Sequence, residues 1–281
     1  MKFSVLVICL AAGSTSYAVA QSAPEAEYES LFDGETLDGW QIMQVPEDHK
    51  YFAVDENFFV RDGAIHCYQL PNKNGGLILS ERKFGDFELE LEFQSDWGCD
   101  SGIFLRCTHD GRGIQILNDY LKDGNIGFVF GQGTGGYLSR PILLNEQDGE
   151  IVAADSYDGV EIDRLTYAMD AATWNATFKP GEWNTIRIRC VGSEPMITTW
   201  LNGVKMMEMD GSVYAGRQLR DSVDHNWEAK PAWDSEKVQQ ITGNRGSIAL
   251  QIHPGGRWEP GGSARYRNIR ILELDAQSTE Q

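Results

Sequence analysis

Apolar and polar residues alternate with a period of two along much of the chain. The clearest run is DFELELEF at residues 86–93, where four apolar side chains fall on one face and three glutamates on the other. Such alternation predicts a β-strand with one buried face. We interpret the glutamates as a solvated outer face, because several carboxylates packed in a dry cleft would repel one another.

Further short runs of the same kind occur in both halves of the chain. They are separated by Gly, Asp and Asn turns, of which Asn202-Gly203 is the strongest hairpin signal. Helical periodicity is scarce, apart from a short helix predicted around residues 234–240. The pattern predicts an all-β fold, namely a two-sheet antiparallel β-sandwich of jelly-roll type.

The segment CDSGIFLRCTHDGRGIQILNDY, residues 99–120, predicts a hairpin with unusual polar content. Alternation places Phe104 and Arg106 on one face of its first strand. Gln115 lies on its second strand, and Asn118 and Asp119 follow at the strand end. We expect a guanidinium, an amide and a carboxylate to gather near one sheet face, as in a site for a hydroxyl-rich ligand. The alternative is an ordinary amphipathic hairpin with a solvated polar face.

The N-terminus has the pattern of a signal peptide. Lys2 precedes an apolar run at residues 3–12, and Ala18-Val19-Ala20 fits a cleavage site. We therefore expect an exported protein, periplasmic or secreted, with no membrane insertion. The predicted organisation is a signal peptide (1–20), a flexible tail (21–28), one jelly-roll domain (29–275) with an insertion at about 211–245, and a second tail (276–281).

Charge and cysteine content narrow the expectations further. The net charge of -18 disfavours nucleic acid as a partner. Four cysteines remain after the predicted cleavage, which permits disulfides in an exported protein. If residues 101–106 are extended, Cys99 and Cys107 lie roughly 26 Å apart at ~3.3 Å per residue. A disulfide needs Cα atoms within about 7 Å, so we expect no Cys99–Cys107 bond.

Five sequence blocks, in this order, resemble the 3-keto-disaccharide hydrolase domain family. They are LFDGETLDGW, DFELELEF with DSGIFLR, GIQILNDY, GEWNTIRIRCVG with ITTWLNGV, and GSIALQIH with RYRNIRI. The resemblance runs from about Leu31 to Leu274 and implies a concanavalin A-like jelly roll. It also implies an enzyme that acts on sugars oxidised to a ketone at C3. The chain departs from the family pattern at Asp100 (usually Asn), at Gly113 (often Glu) and at Asn118, where the family carboxylate moves to Asp119.

A 3-keto sugar is cleaved by removal of its acidic C2 proton, elimination of the C1 substituent and addition of water. We expect His253 to be the base, with Asp119 second, and Arg106 or one divalent cation (Ca²⁺ or Mn²⁺) to stabilise the enolate. The expected contacts to the carbohydrate substrate come from five residues. They are Gln115, Asn118, Gln251, Trp200 and Ser101.

Two other classes of function stay open at this point. A jelly roll with amide and aromatic groups on one face also suits a non-catalytic, lectin-like carbohydrate-binding module. A structural surface protein would need only export and acidity. Each residue has a plain structural alternative as well: His253 as a strand-end histidine, Arg106 as the partner of a carboxylate, and Trp200 as a core residue. The sequence leaves the oligomeric state open.

Overall fold

The computed structural model describes residues 27–134, 136–137, 140–156, 165–212 and 235–274. The strands in chain order are β1 (Glu29–Ser30), β2 (Trp40–Ile42), β3 (Phe58–Arg61), β4 (Ala64–Tyr68), β5 (Gly76–Phe84), β6 (Phe87–Ser95), β7 (Cys99–Cys107), β8 (Gly113–Tyr120), β9 (Ile126–Gln132), β10 (Gly136–Tyr137), β11 (Ile142–Gln147), β12 (Glu150–Asp155), β13 (Leu165–Ala168), β14 (Asn184–Val191), β15 (Met196–Leu201), β16 (Val204–Asp210), β17 (Gly246–Ile252) and β18 (Ser263–Glu273). Two short helices, α1 (Ala171–Thr177) and α2 (Ser235–Thr242), and a 3-10 turn at Asp55–Asn57 complete the fold.

Two antiparallel sheets form a sandwich. The larger sheet has the order β13-β16-β15-β14-β6-β18-β4-β3, with β1 added beside β18. The smaller sheet has the order β10-β9-β8-β7-β17-β5-β2, and β11 and β12 form a separate ribbon. The predicted all-β sandwich of jelly-roll type is therefore confirmed.

The core lies between the two sheets and follows the period-two pattern. In β6 the four apolar residues are almost fully buried, while the glutamates between them are partly exposed. Each of the three glutamates pairs with an arginine of a neighbouring strand. The pairs are Glu88 with Arg189, Glu90 with Arg270, and Glu92 with Arg267. This confirms the solvated outer face predicted for DFELELEF.

The strongest turn signal also folds as predicted. Asn202 and Gly203 have φ angles of 46° and 84° and join β15 to β16. Positive φ at both central residues is the signature of a tight turn that matches the twist of the strands. The predicted helix around residues 234–240 corresponds to α2, whereas residues 213–234 of the predicted insertion, the signal peptide and most of both tails lie outside the described residues.

Within the described part of the chain the cysteines are unpaired. Cys67, Cys99, Cys107 and Cys190 are all buried free thiols, and burial raises the pKa of each. Cys99 and Cys107 stand at opposite ends of β7, so the expected absence of a bond between them is confirmed. In the same residues no helix is long and apolar enough to cross a membrane.

Candidate active site

The hairpin of β7 and β8 lies in the smaller sheet and carries polar residues on both of its faces. Ser101 and Asn118 face the larger sheet, where both bond to the hydroxyl of Tyr266, at 2.7 and 2.9 Å. Because side chains alternate along a strand, the neighbours Asp100 and Asp119 point the other way. We call this second side the outer face of the smaller sheet.

Asp100 and Asp119 form a carboxyl pair on the outer face. They are direct cross-strand partners, and only 4% and 1% of their surfaces are exposed. Burial, the charge of Asp100 and a hydrogen bond with Asp100 raise the pKa of Asp119 well above its usual range, although Arg257 and Arg140 act in the opposite direction. Arg257 also forms an ion pair with Asp100. These effects favour the protonated form of Asp119, which makes it the candidate proton donor of the pair.

Among the described residues, Asp119 Oδ1 is enclosed and has no hydrogen-bond partner. A buried carboxyl oxygen without a partner is rare in a folded protein and is characteristic of functional sites. The carboxyl pair is therefore the strongest candidate for acid–base chemistry in this sheet.

A chain of hydrogen bonds crosses the same face. Gln115 Nε2 donates to Gln251 Oε1 at 2.7 Å, and Gln251 Nε2 makes a long hydrogen bond of 3.5 Å to the hydroxyl of Tyr51. Gly102 makes this crossing possible, because a Cβ there would lie 2.1 Å from Gln115 Nε2. The two glutamines are both nearly fully buried, and their linked amides lie on the same sheet face as the carboxyl pair.

His253 follows β17 directly, and the alternation that puts Gln251 on the outer face puts His253 there too. The backbone N–H of His253 donates to the carbonyl of Asp100 at 3.1 Å, and Gln69 Nε2 donates to the carbonyl of His253 at 2.7 Å. These bonds hold the backbone beside the carboxyl pair. His253 Nδ1 is enclosed and has no hydrogen-bond partner within the described residues. None of these residues therefore fixes the tautomer of the imidazole through Nδ1.

The structure places Arg106 away from this group, which corrects the expected placement. Its guanidinium is buried and donates to the carbonyls of Gly85 and Gly192, at 3.0 and 2.7 Å, and to the carboxylate of Asp86 at 2.8 Å. The register of β7 against β17 shifts here, and Arg106 has a φ of 48°. This β-bulge breaks the alternation on which the prediction rested, so Arg106 joins two loops instead of facing a ligand.

Three further placements also differ from the expectation. Ser101 and Asn118 point into the space between the sheets, where they bond to Tyr266. Trp200 lies on the outside of the larger sheet, with the guanidinium carbon of Arg187 4.1 Å from its ring centroid. The structure therefore gathers Asp119, Gln115, Gln251 and His253 from the predicted set, whereas Arg106, Ser101, Asn118 and Trp200 lie elsewhere.

Sequence reasoning missed four residues of this site. Asp100 stands out in the sequence only as a departure from the family pattern, yet pairing the two strands of the hairpin would have set it opposite Asp119. Tyr51 stands in an irregular loop, and Arg257 and Arg140 come from segments that carry no motif. Only long-range packing brings them here, so no local signal could have found them.

The donors at the carboxyl pair do not suit the expected divalent cation. Among the described residues there is no group of three or more His, Cys, Asp or Glu placed to hold a metal ion. Arg257 already neutralises Asp100, and a guanidinium beside a carboxylate disfavours a cation there. The divalent cation stays a prediction.

Fold and site together define an antiparallel β-sandwich with a buried pair of carboxyl groups on the outer face of its smaller sheet. The chain belongs to the family of 3-keto-alpha-glucoside-1,2-lyase-like domains, whose profile matches residues 27–272. This membership confirms the prediction of an enzyme of the glycoside hydrolase or lyase class.

Individual relatives are distant. A 3-keto-disaccharide hydrolase of Bacteroides thetaiotaomicron is 22% identical over 270 residues, covering 88% of this chain and 79% of the relative. A putative glycosyl hydrolase of Parabacteroides distasonis is 21% identical with a TM-score of 0.47, and the match covers 84% of this chain and 99% of that one. β-Agarase B of Zobellia galactanivorans is 13% identical with a TM-score of 0.49, and the match covers 90% of this chain and 96% of that one.

Proposed function

We propose that this protein cleaves 3-keto-glycosides by proton abstraction, elimination and hydration. The observation that carries the proposal is the buried carboxyl pair of Asp100 and Asp119, on the same sheet face as the hydrogen-bonded amides of Gln115 and Gln251. The family supports the choice of reaction, and the Bacteroides relative is named for hydrolysis of 3-keto-disaccharides.

The reaction needs one base, one acid and one stabiliser of negative charge. A base removes the C2 proton, and the electrons of the C–H bond form a C2–C3 double bond while the ketone becomes an enolate. The enolate then restores the C3 carbonyl and expels the C1 oxygen, which takes a proton from the acid. Water adds across the new C1–C2 double bond, with hydroxyl at C1 and hydrogen at C2.

We assign the base to His253 and the acid to Asp119. His253 carries a ring nitrogen without a partner in the described residues, and its backbone is bonded to Asp100. Burial and the charge of Asp100 raise the pKa of Asp119 and so favour its protonated form, which is the form that can donate to the leaving oxygen. Gln115 and Gln251 supply amides for substrate hydroxyls.

The deciding experiment compares 4-nitrophenyl glucoside with its 3-keto derivative as substrates for the purified protein. We expect nitrophenol release from the keto form only, because only a ketone makes the C2 proton acidic. Release from neither form, together with saturable glycan binding in calorimetry, would reject the enzyme proposal in favour of the lectin-like module. Release from the unoxidised glucoside would reject the elimination chemistry.

The base is tested with His253→Ala, with His109→Ala as the matched control. His109 is exposed in the turn between β7 and β8, at the opposite end of these strands from the carboxyl pair. We expect His253→Ala to lower kcat by on the order of 100-fold or more with an unchanged unfolding transition. The control should keep wild-type turnover, and full activity of His253→Ala would rule out the base assignment.

We infer export from the N-terminal pattern alone. A carbohydrate substrate outside the cytoplasm is consistent with a leader that ends at Ala20. Mass spectrometry of the native protein from the secreted or periplasmic fraction should give a chain that begins at Gln21. A chain found only in the cytoplasm and still carrying Lys2 would contradict export.

A further inference from the structure

The elimination needs a hydrogen-bond donor for the enolate oxygen. Arg106, the residue expected to supply it, donates its hydrogen bonds to other groups. All three nitrogens of the Arg106 guanidinium bond to the loops around Asp86 and Gly192. We infer that Tyr51 is the catalytic residue that stabilises the enolate, through a hydrogen bond from its hydroxyl to the C3 oxygen. This inference rests on the proposed function, since it concerns one step of that reaction.

Packing fixes the position of the Tyr51 ring. Tyr51 is 8% exposed and belongs to a small apolar cluster on the outer face of the smaller sheet, away from the main core. Phe104, Leu77 and Ala249 of three neighbouring strands belong to the same cluster. Its hydroxyl therefore has a defined place beside Gln251, and a donor held in advance is what charge stabilisation requires.

The hydrogen-bond chain favours the Tyr51 oxygen as an acceptor from Gln251 and so leaves the Tyr51 proton for another partner. Gln115 Nε2 also contacts the carbonyl of Ser101, at 3.3 Å, and a carbonyl only accepts, so this atom is the amide nitrogen. Its second partner on Gln251 is then the amide oxygen, which turns the Gln251 nitrogen toward Tyr51. The Tyr51 oxygen accepts that bond, and its own proton finds no acceptor in the described residues.

The electrostatics keep Tyr51 in the form that can donate. Burial and the nearby charge of Asp100 raise the pKa of Tyr51 to about 12, although the bond from Gln251 lowers it. The phenol therefore stays neutral at the pH where the enzyme works. A neutral phenol is a donor that suits a developing enolate oxygen, and it leaves Asp119 to protonate the leaving oxygen at C1.

The step is balanced by the groups already named. The base takes the C2 proton, the C2–H electrons form the C2–C3 double bond, and the carbonyl electrons move to oxygen. Tyr51 shares its proton with that oxygen in a hydrogen bond and keeps it when the carbonyl is restored. No further reactant is needed.

The test uses 3-keto-1,5-anhydroglucitol, which has a C2 proton but no leaving group at C1. Exchange of that proton in D2O, followed by NMR, measures enolate formation without elimination. We expect wild-type protein to catalyse the exchange, and Tyr51→Phe to slow exchange and 3-keto-glucoside turnover alike by on the order of 100-fold. The loss should fall on kcat, because the hydrogen bond strengthens as charge develops.

Tyr68→Phe is the matched control, since Tyr68 lies at the end of β4 in the larger sheet. It should leave both rates unchanged. Tyr51→Phe keeps the ring in its apolar cluster, and near-UV circular dichroism gives the folded fraction by which each rate is divided. If Tyr51→Phe exchanges the proton as fast as the wild type, the role of Tyr51 is overturned, while the proposed function of the protein is not. Wild-type protein that neither exchanges the proton nor turns over the keto substrate would overturn the proposed function and the assignment with it.

Discussion

Replacing Arg106 by methionine should lower the free energy of unfolding without changing the catalytic rate of the folded protein. Only 1% of the Arg106 surface is exposed, and its guanidinium satisfies the carboxylate of Asp86 and the carbonyls of Gly85 and Gly192. Methionine fills similar space but removes the donor to both carbonyls, and Asp86 Oδ1 keeps only the bond from the backbone N–H of Gly192. Removing one partner of a buried charged pair costs about 3–5 kcal/mol, which corresponds to a melting point lower by roughly 6–20 °C in a chain of this size.

The assay combines urea unfolding with turnover of the 3-keto-glucoside at a temperature where both proteins are folded. Arg189→Met is the matched control, because Arg189 makes a similar ion pair of 2.9 Å with Glu88 on the solvated face. That exposed pair should contribute only about 0.2–1 kcal/mol. We expect kcat of Arg106→Met per folded molecule to equal that of the wild type. A large loss of kcat at unchanged stability would refute the structural role and return Arg106 to the active site.

The remaining predictions concern the outer face of the smaller sheet. Folding raises the pKa of Asp119, so the protonated form of this group stabilises the folded state. The stabilisation is complete below the unfolded pKa of about 4 and is lost as the pH rises through the folded pKa. Between these two pKa values the free energy of unfolding should fall by about 1.4 kcal/mol per pH unit. Urea unfolding from pH 4 to 9 should show this decline in wild type and a flatter profile in Asp119→Asn; identical profiles would contradict it. Gly102→Ala places a Cβ 2.1 Å from Gln115 Nε2, so the displaced amide should lower both the melting point and kcat/KM, the latter about tenfold or more per folded molecule. Unchanged kinetics of Gly102→Ala would mean that the amide chain does not matter. Dialysis against EDTA should leave turnover unchanged, because the donors at the carboxyl pair suit a proton; a loss restored by Ca²⁺ or Mn²⁺ would instead support the expected cation.

Period-two alternation predicted the sheets well, because burial of one face is a strong local constraint. It placed the apolar residues of β6 in the core. It failed at Arg106, where one extra residue in β7 bends the strand and turns the side chain toward the loops. A bulge of this kind depends on the partner strand, so alternation within β7 could not reveal it.

Chemical type alone was a poor guide to the face on which a polar residue lies. Asn118 and Ser101 have the chemistry of ligand-binding residues, yet both bond to Tyr266 in the interior. Tyr51 carries no sequence signal, because no periodicity marks its loop and its partner Gln251 is 200 residues away. The amide chain that orients Tyr51 is thus a property of three strands and a loop, and only the folded chain contains it.

The departure from the family pattern at Asp100 changes what Asp119 can do. An asparagine opposite Asp119 would donate a hydrogen bond from its amide and favour the ionised carboxylate, which is a base. An aspartate there adds negative charge and accepts a proton instead, and together with burial it holds the pKa of Asp119 high. Arg257 forms its ion pair with Asp100 and not with Asp119. The substitution therefore accounts for an acid at Asp119, and it leaves the base to be supplied by the next strand, where His253 lies beside Asp100.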